Sequence, residues 1–246
     1  MTLPVHWVES LDGVRPGDPV TVEGDEAHHA VAVRRLRVGE QVALTDGRGT
    51  TVVGSVADTG KRRLTVSTET VDRVPEPAPR VVVVQALPKG DRGELAVELL
   101  TEIGAGTIVP WAASRSVAVW RGERVDKGLA RWRATAREAA KQARRAWFPE
   151  VAGLATTPDV AGLVAEASLA LLLHEGAHEV LADVSVPAEG PVVVVVGPEG
   201  GLTEEELATL TGAGASAVRL GAEVLRTSTA GVASVAAVLS RTARWA

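Results

Sequence analysis

Residues 192–207 read VVVVVGPEGGLTEEEL, in which five valines run directly into a Gly-Pro-Glu-Gly-Gly loop. An aliphatic run of this kind is typical of a strand that is covered on both faces, as in a parallel sheet. The Thr-Glu-Glu-Glu that follows is a capping-box pattern, in which Thr203 caps a helix and Glu206 reaches back to the cap amide. The stretch therefore predicts a strand, a tight loop and a helix, which is one unit of an α/β domain.

The loop between this strand and helix raises the question of a ligand. Phosphate groups commonly bind at helix N-termini, where glycines let the backbone approach them closely. Here Glu204, Glu205 and Glu206 lie in the first helical turn, where they complement the helix dipole but would repel a phosphate. The loop also matches neither G-x-G-x-x-G nor G-x-x-x-x-G-K-[ST]. A neutral or cationic ligand is favoured over phosphate, and a tight turn that binds no ligand is the alternative.

Strand and helix patterns alternate around this unit through the C-terminal two thirds of the chain. The predicted strands are 81–88, 106–111, 168–175, 191–198 and 216–223, and the predicted helices are 93–102, 127–146, 203–210 and 228–244. This alternation predicts an α/β domain with a mostly parallel sheet, whose ligands bind beyond the carboxyl ends of the strands. The loops of interest are therefore 174–178, 197–202 and 221–229.

The first 73 residues have a different pattern. Short β-rich segments at 5–9, 20–23, 41–45, 51–56 and 64–71 are separated by turns, and a short helical pattern covers 25–36. This predicts a small β-barrel over residues 1–73. Residues 74–79 contain three prolines, which exclude a helix and favour extended backbone. We therefore predict a linker at 74–79 and the α/β domain over 80–246.

Composition excludes several classes of protein. The 246 residues include no cysteine, which excludes disulfides, thiolate nucleophiles and cysteine metal sites. The N-terminus MTLPVHWVES lacks the pattern of a signal peptide, and the aliphatic runs are far shorter than the roughly 20 residues that cross a bilayer. No G-x-S-x-G hydrolase motif is present. We expect a cytoplasmic protein that makes no membrane contact.

The formal net charge of −5 conceals a strong asymmetry along the chain. Residues 80–145 carry 13 Lys/Arg and 7 Asp/Glu, whereas residues 146–246 carry 4 and 12. The basic stretch 121–145 is interleaved with Trp120, Trp132 and Trp147, a composition typical of RNA contacts. The alternative is an amphipathic helix whose tryptophans pack inward, and opposite faces of one helix can serve both roles. Residues 34–37 and 61–63 form two smaller basic clusters.

Two further motifs lie at the predicted ligand end of the sheet. In RLGAEVLRTSTAG (219–231), Arg226 is the only cation between Arg219 and Arg241, and it stands just before a predicted helix. A functional role for Arg226 is favoured, and one of the next three residues (Thr227, Ser228 or Thr229) is expected to cap the helix. The second motif, HEGAH (174–178), matches H-E-x-x-H. That zinc motif requires a helix, and this one directly follows a strand, so we predict no metal site.

Together, GPEGGLTEEEL and LGAEVLRTSTA resemble the RsmE family, the 16S rRNA uridine N3-methyltransferases of the SPOUT superfamily. The resemblance extends to HHAVAVRRLRVGE (28–40), ALPKGDRGELAVELLTEIGAGTIVPWAASRS (86–116) and REAAKQARRAWFPEV (137–151). Three features depart from the family pattern: Leu99 stands where the family often has lysine, Ser228 replaces a glutamate, and the opening is His6-Trp7-Val8.

The resemblance implies a fold and a cofactor. It implies a PUA-like N-terminal β-barrel, a C-terminal SPOUT α/β domain with a trefoil knot, and a homodimer. It also implies an S-adenosyl-L-methionine pocket at the knot near the subunit interface. The cofactor-binding residues carried over are Leu173, His174, Gly197, Pro198, Glu199, Gly200, Gly201, Leu220, Gly221, Val224, Leu225 and Arg226.

The implied activity is methylation of N3 of a specific uridine in the 16S rRNA of the small ribosomal subunit. We hypothesise that Arg226 stabilises negative charge on the uracil, and that Glu199 accepts the proton or contacts the cationic cofactor. The residues expected to bind RNA are Arg34, Arg35, Arg37, Lys89, Arg115, Arg137, Arg144 and Arg145. Two alternatives stay open: a SPOUT enzyme with another RNA target such as a ribose 2′-hydroxyl, and a non-enzymatic ribosome-assembly factor.

Overall fold

The computed structural model describes residues 3–245, which divide into two compact units. The first unit runs to Glu76 and also includes Lys141–Phe148. The second contains Pro77–Ala140 and the chain from Pro149 onward. Each unit has its own hydrophobic core.

The first unit is built on a five-stranded sheet. Its strands are β1 (Val5–Trp7), β2 (Pro19–Glu23), β3 (Gln41–Thr45), β4 (Thr50–Gly60) and β5 (Arg63–Arg73). The order is β1-β3-β4-β5-β2, in which β1 pairs parallel with β3 and the other pairs are antiparallel. Helix α1 (Gly24–His28) continues as one π-helical segment, His29–Val33. The predicted small β unit with a short helical interruption is therefore confirmed.

The segment Lys141–Phe148 packs within the first unit, where it contacts the turn between β3 and β4 at Gly47 and Gly49. We call this space beside the two glycines the notch. Main-chain hydrogen bonds join Gly49 N to Ala146 O and Phe148 N to Gly47 O, both at 2.9 Å. A Cβ on Gly49, whose φ is +96°, would lie 2.7 Å from the Trp147 ring. Helix α3 (Glu123–Gln142) therefore ends at Gln142, and the prediction that it continues to residue 146 was wrong.

The second unit contains a seven-stranded parallel sheet. Its strands are β6 (Arg80–Ala86), β7 (Thr107–Trp111), β8 (Glu150–Val151), β9 (Leu169–Leu173), β10 (Glu179–Val180), β11 (Pro191–Val196) and β12 (Ser216–Arg219). The order is β10-β12-β9-β11-β6-β7-β8, and every neighbouring pair is parallel. The five predicted strands are present, and the mixed α/β prediction is confirmed.

Helices cover both faces of this sheet, which is why its central strands are nearly continuous in valine. The helices are α2 (Arg92–Ile103), α3, α4 (Thr157–Ala165), α5 (Glu204–Gly212) and α6 (Thr227–Leu239). Along β11, Val194 packs into one core with Leu100 of α2 and Val235 of α6. Its neighbour Val195 packs into the other core with Leu210 of α5.

Besides the end of α3, two further helical features differ from the sequence prediction. Helix α4 was not predicted, although Thr156 and Asp159 form a complete capping box at its start. Helix α6 ends at Leu239 rather than at residue 244. The trefoil knot implied by the resemblance stays a prediction. Over residues 3–245, no helix is long and apolar enough to cross a membrane.

Candidate active site

Three loops at the carboxyl edge of the parallel sheet line one cavity of about 670 Å³. They follow β9, β11 and β12, which are neighbours because β9 pairs with both of the others. Such a volume suits a small organic ligand, and the carboxyl edge is where open α/β sheets bind ligands. All the predicted cofactor-binding residues line this cavity: Leu173, His174, Gly197, Pro198, Glu199, Gly200, Gly201, Leu220, Gly221, Val224, Leu225 and Arg226.

The loop after β11, residues 197–202, needs glycine at two positions for different reasons. Gly201 has a φ of +72°, in the left-handed region, and its N–H donates to Pro198 O at 2.9 Å. Gly200 has no room for a side chain, because a Cβ there would lie 2.9 Å from Arg115 Cβ and 3.1 Å from Arg115 O. We call residues 197–202 the glycine-rich loop.

The capping box predicted at the start of α5 is confirmed. Thr203 Oγ1 accepts from Glu206 N at 3.1 Å, and Glu206 Oε2 accepts from Thr203 N at 2.9 Å. The other carboxylate oxygen, Oε1, accepts from Ser114 N at 2.7 Å, a contact that sequence reasoning missed. Burial of Glu206 raises its pKa, but the hydrogen bonds from Ser114 and Thr203 outweigh burial, and the pKa is lowered overall. Glu206 is therefore an ionised carboxylate that accepts hydrogen bonds on both oxygens.

The glycine-rich loop is held from outside by two other segments. Arg115 Nη1, in the segment after β7, donates to Leu202 O at 3.1 Å and to Gly200 O at 3.3 Å. Lys89 N, in the segment after β6, donates to Glu199 Oε1 at 3.2 Å. Of the two predicted RNA contacts here, Arg115 lines the cavity and Lys89 lies beside the loop.

Arg226 occupies the N-cap position of α6, with extended backbone (φ −66°, ψ 150°). Its carbonyl oxygen accepts from Thr229 N at 2.9 Å, from Ala230 N at 2.8 Å and from Thr229 Oγ1 at 3.1 Å. The prediction that Thr227, Ser228 or Thr229 caps the helix was wrong, because the helix begins at Thr227 and all three residues lie within its first turn. Arg226 itself is exposed in the cavity wall.

Charges of both signs line the cavity. Glu175, Glu199 and Glu223 are the carboxylates, and Arg92, Arg115, Arg219 and Arg226 are the cations. Sequence reasoning did not single out Glu175 or Glu223, although both lie inside the loops it had selected. Arg92 was missed because it begins α2, and only the sheet order brings that helix beside the cavity.

The HEGAH segment forms a turn and not a helix. His174 follows the last residue of β9, and its Nδ1 accepts a hydrogen bond from Gly176 N at 3.2 Å. The expected absence of a helix is therefore confirmed. Among residues 3–245, no group of three His, Asp or Glu side chains is placed to hold a metal ion.

The basic stretch 121–145 is not one uniform surface. Trp132 is buried and meets Trp120 edge to face, with ring centroids 5.3 Å apart, so these tryptophans pack inward. Lys141 is also buried, and its Nζ donates to Glu26 at 3.0 and 3.1 Å. The predicted RNA contacts Arg34, Arg35, Arg37, Arg144 and Arg145 belong to the first unit, whereas Lys89, Arg115 and Arg137 belong to the second.

Comparisons with known proteins match both units. The family model of an RNA methyltransferase domain matches residues 75–239, and that of an RNA methyltransferase PUA domain matches residues 22–69. The chain is 49% identical to ribosomal RNA small subunit methyltransferase E of Mycobacterium tuberculosis, over 100% of this chain and 94% of that protein. It is 28% identical to the protein of the same name from Bacillus subtilis, over 90% of each.

Solved structures agree with this match. The chain is similar to ribosomal RNA small subunit methyltransferase E from Neisseria gonorrhoeae bound to S-adenosyl methionine, with a TM-score of 0.86 and 26% identity. That comparison covers 97% of this chain and 98% of the other. A methyltransferase from Legionella pneumophila has the same fold, with a TM-score of 0.89, 24% identity and coverage of 98% and 99%.

Proposed function

The chain belongs to the ribosomal RNA small subunit methyltransferase E family, and on that premise we propose that it methylates N3 of one uridine in 16S rRNA. The methyl donor is S-adenosyl-L-methionine, as in the relative from Neisseria gonorrhoeae. The observation that carries the proposal is the meeting of three separate loops around one cavity of about 670 Å³. A second candidate, transfer to a ribose 2′-hydroxyl, uses the same cavity.

The residues of the cavity fit this cofactor. Gly201 leaves main-chain surface open in this wall, because no atom lies within 4 Å of the position of its missing Cβ, as a closely bound ligand requires. Glu175, Glu199 and Glu223 supply negative charge that suits a sulfonium and an amino group. S-adenosyl-L-methionine supplies an electrophilic methyl group when it is bound.

The target atom sets the demands on the protein. Uracil N3 carries a proton near neutral pH, so N3 is a poor nucleophile until that proton leaves. In the transfer, the N3 electron pair forms a bond to the methyl carbon, the carbon–sulfur bond breaks with its electrons on sulfur, and the N3 proton passes to a base. Arg226 lies in the cavity wall, where its guanidinium stabilises the charge that develops on O2 and O4. Glu199, oriented by Lys89 N, either accepts the proton or faces the sulfonium.

Replacing Arg226 tests its role in the chemical step. Arg226→Ala should lower the single-turnover rate at saturating RNA and cofactor by about 10²–10³-fold, the usual effect of removing one charge-stabilising donor. Arg226→Lys keeps the charge and should recover part of that loss. Full single-turnover activity in Arg226→Ala would exclude the role.

We propose that the first unit mainly binds rRNA and that the second unit carries out methyl transfer. The first, a PUA-type unit, holds rRNA with Arg34, Arg35, Arg37, Arg144 and Arg145, and Lys89 and Arg137 of the second unit add contacts. We keep the proposed boundaries of residues 1–73, 74–79 and 80–246 for the barrel, linker and methyltransferase domain, except that Lys141–Phe148 belongs to the first unit. The chain is proposed to work in the cytoplasm as a homodimer. Its exposed apolar side chains Val117, Val119 and Val224 (52–75% exposed) offer surface for a second copy, and sedimentation equilibrium measures that state.

Nucleoside mass spectrometry of 16S rRNA from a deletion strain tests the reaction and its target together. Loss of 3-methyluridine, restored by the wild-type chain and not by Arg226→Ala, is the expected result. Loss of a 2′-O-methylated nucleoside would instead favour the ribose target. An unchanged nucleoside profile, with no cofactor binding by calorimetry, would favour a non-enzymatic assembly factor.

A further inference from the structure

We propose that Glu206 and Arg115 are positioning residues that together hold the glycine-rich loop in the shape that binds the cofactor. The inference rests on the proposed function, in which this loop forms one wall of the S-adenosyl-L-methionine pocket. Arg115 then acts on the loop rather than on RNA. Glu206 does not line the cavity, so it acts through other residues.

The sequence of the glycine-rich loop restricts its conformation only weakly. Three of its six residues are glycine, which lose more conformational freedom on ordering than other residues do. Its turn is closed by the hydrogen bond from Gly201 N to Pro198 O. Contacts from outside the loop must therefore contribute to its shape.

Glu206 uses its two carboxylate oxygens for two different tasks. Oε2 accepts from Thr203 N and Thr203 Oγ1, which completes the capping box of α5. Oε1 accepts from Ser114 N at 2.7 Å, and this bond has no part in capping the helix. It ties the segment after β7 to the start of α5, and so places Arg115 beside the loop.

Arg115 then holds the loop in two ways. Its Nη1 bridges two carbonyl oxygens of the loop, those of Gly200 and Leu202. Its main chain and Cβ also lie so close to Gly200 that a Cβ there would not fit. The contacts run from Glu206 through Ser114 and Arg115 to Gly200, which is part of the cavity wall. We call this set of contacts the loop clamp.

Two substitutions break the loop clamp at different points while conserving size or charge. Glu206→Gln replaces one acceptor oxygen with an amide NH₂, so either the Ser114 or the Thr203 bond is lost. Arg115→Lys keeps the positive charge but gives a shorter and more flexible side chain, whose ammonium should not reach both carbonyls as Nη1 does. Each variant should raise the Kd for S-adenosyl-L-methionine about tenfold by calorimetry, as expected for one lost hydrogen bond to a charged group.

Steady-state kinetics should show that cofactor binding is weakened while the chemical step is not. In both variants the KM for S-adenosyl-L-methionine should rise about tenfold, while kcat at saturating cofactor and RNA stays within about twofold, because binding and not chemistry is affected. The double variant should lose clearly less than the roughly hundredfold expected of independent sites, because both residues act on one loop.

The chain offers a matched control in the second capping box. Asp159, at the start of α4, accepts from Thr156 N at 2.8 Å and from Thr156 Oγ1 at 2.6 Å, as Glu206 does from Thr203. Asp159 is exposed and lies outside the cavity. Asp159→Asn should lower Tm slightly and leave the Kd for the cofactor unchanged. If Glu206 only capped its helix, Glu206→Gln would behave in the same way.

The outcomes separate the two claims. One outcome would overturn the loop clamp and leave the proposed function intact. In it, the wild-type chain binds S-adenosyl-L-methionine, and Arg115→Lys binds it with the same Kd, as does Glu206→Gln if that variant folds. Failure of the wild-type chain to bind S-adenosyl-L-methionine would overturn the proposed function and the loop clamp with it. A raised Kd in Arg115→Lys alone supports the clamp where Glu206→Gln does not fold.

Discussion

At the scale of single residues, Glu26 holds a charge that the first unit has largely removed from water. Its carboxylate accepts from Lys141 Nζ at 3.0 and 3.1 Å and lies 3.1 Å from His6 Nδ1. Burial raises its pKa, but the hydrogen bonds from His6 and Lys141 outweigh burial and lower the pKa from 4.5 to about 2. The ionised form is therefore the one that the folded unit stabilises.

This shift predicts a pH dependence of stability. Because the folded pKa lies below the unfolded value, the contribution of Glu26 is complete above about pH 4.5 and is lost as the pH falls through about 2. Glu26→Gln should lower the free energy of unfolding by roughly 3 kcal/mol at pH 7, and the difference from wild type should shrink towards pH 2.5. Urea titrations at several pH values measure this. Glu23→Gln, at an exposed position, is the control, and a Glu26→Gln deficit that does not vary with pH would contradict the assignment.

At the scale of elements, the pairing of β4 with β5 depends on a missing side chain. The register shifts between Val53 and Gly54, and a Cβ on Gly54 would lie 2.1 Å from Ser67 O. Gly54→Ala should therefore destabilise the protein by about 2 kcal/mol, because a main-chain atom cannot move aside easily. Gly162→Ala, in an exposed and open position of α4, should stabilise it by about 0.5–1 kcal/mol. Thermal unfolding measures both, and equal effects of the two substitutions would contradict the packing argument.

The elements also differ in how far they could be predicted. The central strands could be predicted from the sequence, because burial on both faces requires aliphatic runs such as the five valines of β11. Helix α4 also has a recognisable start in the sequence, although it was not predicted, because Thr156 and Asp159 form a capping box and Pro158 lies in the first turn. Strands β8 and β10 have two residues each, too few for any periodicity. The end of α3 is set by the pairing of residues 146–148 with a hairpin about 100 residues earlier, which leaves no local pattern.

At the scale of the whole molecule, charge is expected to govern RNA binding. The variant Arg144→Glu/Arg145→Glu should weaken 16S rRNA binding and reduce the slope of log K against log salt by roughly two, because about two phosphate contacts are lost. Fluorescence anisotropy over a salt series measures both quantities. Arg15→Glu/Arg73→Glu makes the same change of charge at exposed positions of the first unit that we do not assign to RNA. Equal losses in the two double variants would show that only net charge matters.

Most residues that line the candidate site could be predicted from the sequence, but the residues that hold them in place could not. Parallel strands bring their carboxyl ends to one edge of the sheet, so the sequence alone predicts that the three loops meet. Ser114 supports Glu206 from 92 residues away along the chain, so no local pattern in the sequence indicates the contact. Lys141 stands in a basic run that suggests RNA contact, yet its partner Glu26 lies 115 residues away.

The return of Lys141–Phe148 to the first unit has a practical consequence for dividing this protein into parts. A fragment cut after Glu76 would lack the ammonium that pairs with Glu26 and the aromatic rings that fill the notch at Gly47 and Gly49. Such a fragment leaves the Glu26 carboxylate without its ammonium partner and the space beside Gly47 and Gly49 unfilled, so it would be a poor reagent for measuring RNA affinity. During translation, moreover, this unit cannot be completed until residue 148 has left the ribosome, after much of the second unit has been synthesised.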